Sequence, residues 1–162
     1  MATASTVEKY MTQHGVRYDV VTHPHSHNSM ETAQLAHVPG DRLAKSVILE
    51  DGDGYVMAVL PSTFHVRLGK LGRELNRNLR LATERDLATL FADCATGAVP
   101  PVGLAYGMAT IIDESLAEQP EVYFEAGDHE KLIHLSHDAF MTLMEHAGRA
   151  RFAHRVVAGH RA

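Results

Sequence analysis

The clearest apolar stretches of the chain come as a pair. Residues 43–50 (Leu-Ala-Lys-Ser-Val-Ile-Leu-Glu) and 55–60 (Tyr-Val-Met-Ala-Val-Leu) flank Asp51-Gly52-Asp53-Gly54. Two apolar runs around a short Asp/Gly turn predict a β-hairpin. Shorter apolar runs at 18–22, 110–112, 122–126 and 132–135 predict further strands. Between them lie helix signals. Ser5-Thr6-Val7-Glu8 has the form of a capping box, opening a helix that stops near Gly15. Asn28 followed by Glu31 starts a second helix, which runs to about Ala36 and is broken by Pro39-Gly40-Asp41. Thr83 with Asp86 caps a helix through Phe91, and Ser136 caps a last one to about His146. Residues 23–27, His-Pro-His-Ser-His, read as a loop. Strands and helices interleave irregularly, and the best strand pair is a hairpin. That pattern predicts an α+β fold with a mixed or antiparallel sheet, not a doubly wound parallel one. No internal repeat is visible. The chain divides into a folded unit over residues 1–146 and an Arg-rich tail over 147–162, which is expected to fray.

Composition narrows the class. The length of 162 residues suits one domain with a real core. An apolar fraction of 45% and a charged fraction of 22% exclude disordered and fibrous classes. The single cysteine, Cys94, cannot form an intramolecular disulfide, which favours a reducing compartment. No stretch approaches the roughly 20 apolar residues of a membrane span. Met-Ala-Thr-Ala-Ser at the start lacks the basic and apolar regions of a signal peptide. The expectation is a cytoplasmic protein without a membrane partner. A net charge of −5 argues against a general nucleic-acid binder, so DNA is not an expected partner, and any RNA contact has to come from a local patch.

Three segments carry candidate chemistry. Lys45 shares a strand face with Leu43, Val47 and Leu49, because side chains alternate along a strand. An ammonium among apolar neighbours is costly unless it reaches water or an anion. Either Lys45 snorkels outward at the strand end, or it points into a cleft and meets a polar or anionic ligand. In Gly97-Ala98-Val99-Pro100-Pro101-Val102-Gly103, two prolines fix φ and remove two N–H donors, while the glycines permit close approach. Such a stiff loop either aims its remaining N–H groups at a ligand carbonyl or is a tight connection and nothing more. His129, in Ala126-Gly127-Asp128-His129, follows a strand at a turn. Site residues often sit there, and histidine exchanges protons near neutral pH, though a solvated turn histidine is the plainer reading.

Two further clusters stand out. Arg67, Lys70, Arg73, Arg77 and Arg80 face a single acid, Glu74, and Arg73, Arg77 and Arg80 follow helical spacing with Lys70 beside them. They form either an ordinary solvated helix face or a phosphate-contacting patch, which Arg149, Arg151 and Arg155 of the tail could extend. Among twelve histidines, His23, His25 and His27 alternate, with His37 near. An extended segment would place the three on one side, yet the set lacks a zinc pattern with a supporting carboxylate, so no metal site is assigned.

Taken together, Ala44-Lys45-Ser46-Val47-Ile48-Leu49, the 97–103 loop and Ala126-Gly127-Asp128-His129 with the strand after it resemble, in order and spacing, the YbaK/EbsC family of prolyl-tRNA synthetase-associated editing domains. The similarity covers about residues 5–146, and residues 67–81 resemble that family's succession of strand, basic helix and strand. The resemblance implies a mixed, curved, barrel-like sheet with packed helices. It implies an aminoacyl-tRNA deacylase that needs no cofactor, clears a small, alanine-like residue from tRNA for proline, and associates transiently with a synthetase. By position, Lys45 matches the lysine that contacts the end of the substrate. Gly97 and Pro101 match a Gly-x-x-x-Pro element whose backbone lies near the scissile carbonyl. His129 matches a histidine of the alanine-clearing branch. Ser46 stands where some alanine-clearing members carry asparagine, and Val99-Pro100-Pro101 stands where many carry serine or threonine before the second proline. The resemblance therefore implies Lys45, Gly97 and His129 in the chemistry, Ser46, Pro101 and Gly103 at the substrate, and Arg67, Lys70, Arg73, Arg77 and Arg80 on the tRNA.

The chain holds no Gly-x-Ser-x-Gly elbow, and Cys94 lies in no nucleophile motif. The expected reaction is thus direct water attack, assisted by the free ribose hydroxyl of the substrate. Loop N–H groups would polarise the carbonyl, Lys45 would hold the terminal phosphate or ribose, and His129 would fix the aminoacyl end or the water. The alternative is a module of the same fold that binds aminoacyl-tRNA or a small ligand without turnover, since fold alone does not establish activity.

Overall fold

The computed structural model describes residues 4–95 and 97–155. In chain order the elements are α1 (Ser5–Gln13), β1 (Asp19–Thr22), α2 (Ser29–Leu35), β2 (Leu43–Glu50), β3 (Tyr55–Pro61), β4 (Phe64–Val66), α3 (Leu68–Leu75), β5 (Arg80–Leu81) and α4 (Glu84–Leu90). There follow β6 (Ala109–Asp113), α5 (Glu114–Ala117), β7 (Glu121–Glu125), β8 (Lys131–Ser136), α6 (His137–Leu143), β9 (Gly148–Ala150) and β10 (Ala153–Arg155). Among these residues no helix is long and apolar enough to cross a membrane.

The sheet is mixed and the fold is α+β, as the sequence pattern predicts. Its strands run in the order β1-β8-β7-β2-β3-β6-β9, with β5 added to β2, while β10 and β4 form a separate ribbon. The hairpin β2–β3 pairs antiparallel from Ala44 opposite Pro61 to Glu50 opposite Tyr55. At its turn the Asp51 carboxylate accepts the N–H groups of Asp53 and Gly54, both at 2.9 Å, which is how aspartate fixes a tight turn. Parallel pairings of β2 with β7, β3 with β6 and β6 with β9 make the sheet mixed.

Strand β3 is buried on both faces, which explains its unbroken apolar run. Met57 and Val59 join Ala44, Ile48, Ile112, Phe124 and Phe140 in one core cluster. Val56, Ala58 and Leu60 join Leu49, Leu71, Ile111 and Phe152 in a second.

Three of the caps form as predicted: the side chains of Asn28, Thr83 and Ser136 accept from the N–H groups of Glu31, Asp86 and Ala139. The first one does not. Ser5 is already helical, and the N-cap is Ala4, whose N–H is held by Ala126 O at 2.8 Å. The capping acceptor comes from far along the chain, since Asp93 Oδ2 takes the Thr6 N–H at 3.1 Å. The frayed tail is also corrected. Residues 148–155 contribute β9 and β10, and Phe152 between them is fully buried. Residues 156–162 lie outside the described part.

Candidate functional site

The site begins with an interruption in the sheet. Strand β2 meets β7 only through Leu43 and Ala44, and meets β5 only through Leu49 and Glu50. Between those pairings the same edge of β2 opens at residues 45–47. The next carbonyl, that of Ile48, is taken by Ala82 N–H at 2.9 Å. Two small recesses flank this opening. One, of about 190 Å³, is lined by Lys45, Val47, His65, Val66, Leu68 and Leu81. The other, of about 230 Å³, is lined by Ser46, Val47, Ile48, Leu81, Ala82, Leu87, Gly97 and Val99. Val47 and Leu81 line both, so the recesses adjoin. Strand alternation thus sends Lys45 to one side of the notch and Ser46 to the other.

Lys45 is half-buried, and its Nζ reaches Ser62 O at 3.5 Å. Burial holds its ammonium below the ordinary lysine value, because the charged form loses hydration. It does not snorkel away, so the cleft-facing alternative describes its position.

On the other side, Ser46 Oγ donates to Val99 O at 3.0 Å, tying the 97–103 loop to β2. Ala98 N–H goes to Ala95 O and Val102 N–H to Pro100 O. Pro100 and Pro101 have none to give. Among the described residues no hydrogen bond engages the N–H groups of Gly97 and Val99, which line the recess. Pro101 and Gly103, expected at the substrate, are buried instead. A side chain at Gly103 would collide with Thr110 Oγ1 and press on Met57, so that glycine serves packing against β3 and β6.

His129 sits in the turn between β7 and β8, buried and at φ +62°. Asp128 builds the turn by accepting the N–H groups of Glu130 and Lys131 at 2.9 and 3.0 Å, and Lys131 Nζ at 2.8 Å. Gly127 O takes Ala95 N–H at 2.7 Å, which docks this turn on the glycine loop. The two predicted residues are consequently neighbours: a Cβ on Gly97 would stand 3.4 Å from His129 Cε1. Gly97 is also at φ +80°, where side chains are strained.

The histidine segment does not gather as a metal set. His23 turns inward, with Nε2 at 3.8 Å from Glu125 Oε2, whereas the His25 ring packs edge-on to His129 at 5.4 Å between centroids. Among the described residues no group of three His, Cys, Asp or Glu side chains is placed to hold a metal. Sequence reasoning overlooked Glu125. Strand alternation would turn it outward beside Tyr123, yet α2 covers it and Thr32 Oγ1 donates to it at 2.8 Å. Burial raises its carboxyl above the ordinary range, against the opposing pull of Thr32 and His23.

Cys94 lies in surroundings that disfavour its thiolate. Burial pushes its thiol up to about 12, and it lies 3.4 Å from the Tyr106 hydroxyl, which donates to Asp93.

The basic cluster is rearranged relative to the helical-spacing expectation. Helix α3 ends at Leu75 with Asn76 left-handed, so Arg77 and Arg80 leave its face. Arg77 Nε pairs with Asp51 and Arg80 Nε with Glu50, each at 2.6 Å. Arg67, Lys70 and Arg73 remain exposed along α3, and among the described residues no ion pair engages them.

Comparison with known proteins follows the same outline. The chain is similar to a solved structure described as a candidate trans-editing enzyme for prolyl tRNA synthetase, at 25% identity and a TM-score of 0.81, covering 93% of this chain and 96% of that one. A structure from a study of computational epitope grafting onto scaffold proteins aligns at 24% identity and a TM-score of 0.80, over 94% of this chain and 97% of the other. A signal-transduction candidate from Marinobacter aquaeolei VT8 aligns at 20% identity and a TM-score of 0.71, over 91% of this chain and 30% of that one. These two likenesses carry the fold alone. No curated protein matches the chain. The model of the aminoacyl-tRNA editing domain matches residues 23–143, from the histidine segment through the notch, the glycine loop and the His129 turn to the end of α6, and the chain belongs to that family.

Proposed function

We propose that the protein is a deacylase acting in trans on mischarged aminoacyl-tRNA, with a small, alanine-like residue on tRNA for proline as its substrate. The observation that carries this reading is the notch beside β2, which presents Lys45 on one side and, on the other, a loop with two N–H groups that no hydrogen bond engages among the described residues. The aminoacyl ester enters the recess of Ser46, Gly97 and Val99. There the Gly97 and Val99 N–H groups stabilise the oxyanion that forms when water attacks. His129, beside Gly97, orients the aminoacyl end or the water, and the free ribose hydroxyl of the substrate carries the proton to the leaving oxygen. Lys45 holds the terminal nucleotide. The volume of about 230 Å³ and the lining of Ile48, Ala82, Leu87 and Val99 suit a small apolar side chain. A hydrolytic sieve of this kind is useful because one methylene discriminates by only ~1–3 kcal/mol at a synthetase. Arg67, Lys70 and Arg73 supply phosphate contacts along the acceptor arm, with Arg77 and Arg80 bracing the segment through their pairs with Asp51 and Glu50. The likeness to a 25%-identical structure described as a candidate trans-editing enzyme for prolyl tRNA synthetase supports the proline assignment.

The test is a panel of labelled aminoacyl-tRNAs, with alanine, serine, cysteine and proline on tRNA for proline beside each cognate pair. The expected result is release of alanine from tRNA for proline by the natural chain and loss of release in Lys45→Ala. Absence of release from every member, at low salt and excess protein, would leave a binding module without turnover.

A further inference from the structure

The recess that holds Lys45 contains a second basic side chain. His65, on β4, lines it, and among the described residues no carboxylate does. Behind His65 stands His154 of β10, its register partner, with ring centroids 6.1 Å apart. His154 Nδ1 is buried, and no described residue accepts or donates a hydrogen bond there. Asp41 is already engaged by the two terminal guanidinium nitrogens of Arg155 on β10, at 2.9 and 2.8 Å, and by Thr63. Arg155 in turn lies over the Phe64 ring, 5.1 Å from its centroid. The groups facing His65 are therefore Lys45 from β2 and His154 from its own ribbon, with the Arg155–Asp41 pair spent on itself. Two basic side chains, Lys45 and His65, line a small, partly dehydrated recess, with His154 next to His65, and among the described residues no carboxylate lines it. Such an arrangement is stabilised by an anion that accepts several hydrogen bonds at once.

We propose that Lys45 and His65, with His154 positioning His65 from behind, form a phosphate subsite that takes the phosphodiester next to the terminal nucleotide of the tRNA. The proposal rests on the deacylase reading for the identity of the phosphate, but the subsite itself does not. Burial, and then the charges of Lys45 and His154, hold the His65 imidazole below its ordinary value in the empty recess. A bound phosphate reverses the balance of charge and favours the imidazolium. Binding through His65 therefore weakens as pH rises and the imidazole gives up its proton.

Two measurements test this. The first follows the His65 and His154 imidazole resonances against pH by NMR, at constant ionic strength, in chloride and in inorganic phosphate, with adenosine as a control lacking phosphate. Phosphate is expected to raise the His65 midpoint by about half a pH unit or more and adenosine to leave it in place. The rise should disappear in Lys45→Met and shrink in His154→Gln. An unmoved His65 midpoint, or an equal rise in Lys45→Met, overturns the subsite. The second compares deacylation by the natural chain and His65→Gln at pH 6 and pH 8. The KM of His65→Gln should be raised about five- to tenfold at pH 6, with kcat unchanged and the gap narrowing at pH 8. A phosphate response together with an unchanged KM overturns the assignment to the tRNA backbone and points to a free phosphate ligand. A phosphate response without any deacylation keeps the subsite and sinks the reaction.

Discussion

Lys45 illustrates how a site residue works against the fold that carries it. Its ammonium is partly stripped of water, and among the described residues its one hydrogen bond is a long contact, 3.5 Å, to Ser62 O. With the folded value held below that of the unfolded chain, the unfolded state binds more protons as pH rises between the two values. Lys45 therefore costs stability at neutral pH and costs less as pH climbs through its folded value. Replacing Lys45 by methionine keeps the stem and removes the charge. Urea unfolding at pH 7 should show Lys45→Met more stable by about 0.5–2 kcal/mol, while its deacylation rate falls at least about 100-fold. A variant that loses both stability and activity would make Lys45 a structural residue. Gly97 makes the opposite case. At φ +80°, alanine there meets backbone strain of about 1–2 kcal/mol, and its Cβ would stand 3.4 Å from His129 Cε1, against the ring. Gly97→Ala should lower kcat about tenfold or more with a smaller change in KM, measured on the labelled tRNA that the natural chain deacylates best.

At the scale of elements, the parts legible in the sequence are those that local chemistry determines. The β2–β3 hairpin, with its Asp51 turn, and the caps at Asn28, Thr83 and Ser136 rest on residues close to one another in the chain. What was not legible depends on partners far away. Ser5-Thr6-Val7-Glu8 has every local mark of a capping box, but the Ala4–Ala126 bond starts the helix one residue earlier and gives the capping task to Asp93. Arg77 and Arg80 kept helical spacing on paper, and the left-handed Asn76 took them off the helix. Likewise the notch itself, which brings Lys45 and Ser46 to opposite sides of one opening, arises from where β7 and β5 stop pairing, and periodicity carries no trace of that. The Asp93 cap yields a pH prediction. Burial works to raise its carboxyl, but bonds from Thr6, Tyr106 and Cys94 outweigh that and hold it below the usual range. A depressed folded value adds stability above the unfolded value of about 3.9, and that stability is lost as pH falls through the folded value. Asp93→Asn should therefore be less stable by about 1 kcal/mol at pH 7, with the gap closing as pH falls through the folded value. A gap independent of pH in denaturant titrations would mean that the charge of Asp93 contributes nothing.

For the whole molecule, the C-terminal segment is the part whose role most exceeds its appearance. Composition marks it as an Arg-rich tail, and strands of three residues are too short to show a period. Yet it closes the second core. Phe152 has no exposed surface and packs in the cluster of Leu60, Leu71 and Ile111. Asp113 at the end of β6 accepts the N–H groups of Phe152 and Ala153 at 2.9 and 3.0 Å, clamping the turn between β9 and β10. From there β10 pairs with β4, which places His154 behind His65 and fixes the wall of the Lys45 recess. Burying one phenylalanine in such a position contributes about 3–5 kcal/mol, against a total of about 5–15 kcal/mol for a domain. Phe152→Ala should thus remain folded but lose about 3–5 kcal/mol in chemical denaturation. Ending the chain after residue 147 removes Phe152, the β9 pairing with β6 and the ribbon together, so the shortened protein should lose its cooperative thermal transition by circular dichroism. If the shortened chain instead melts at the temperature of the full one, the segment is an appendage after all, and the wall it gives to the Lys45 recess cannot matter for binding.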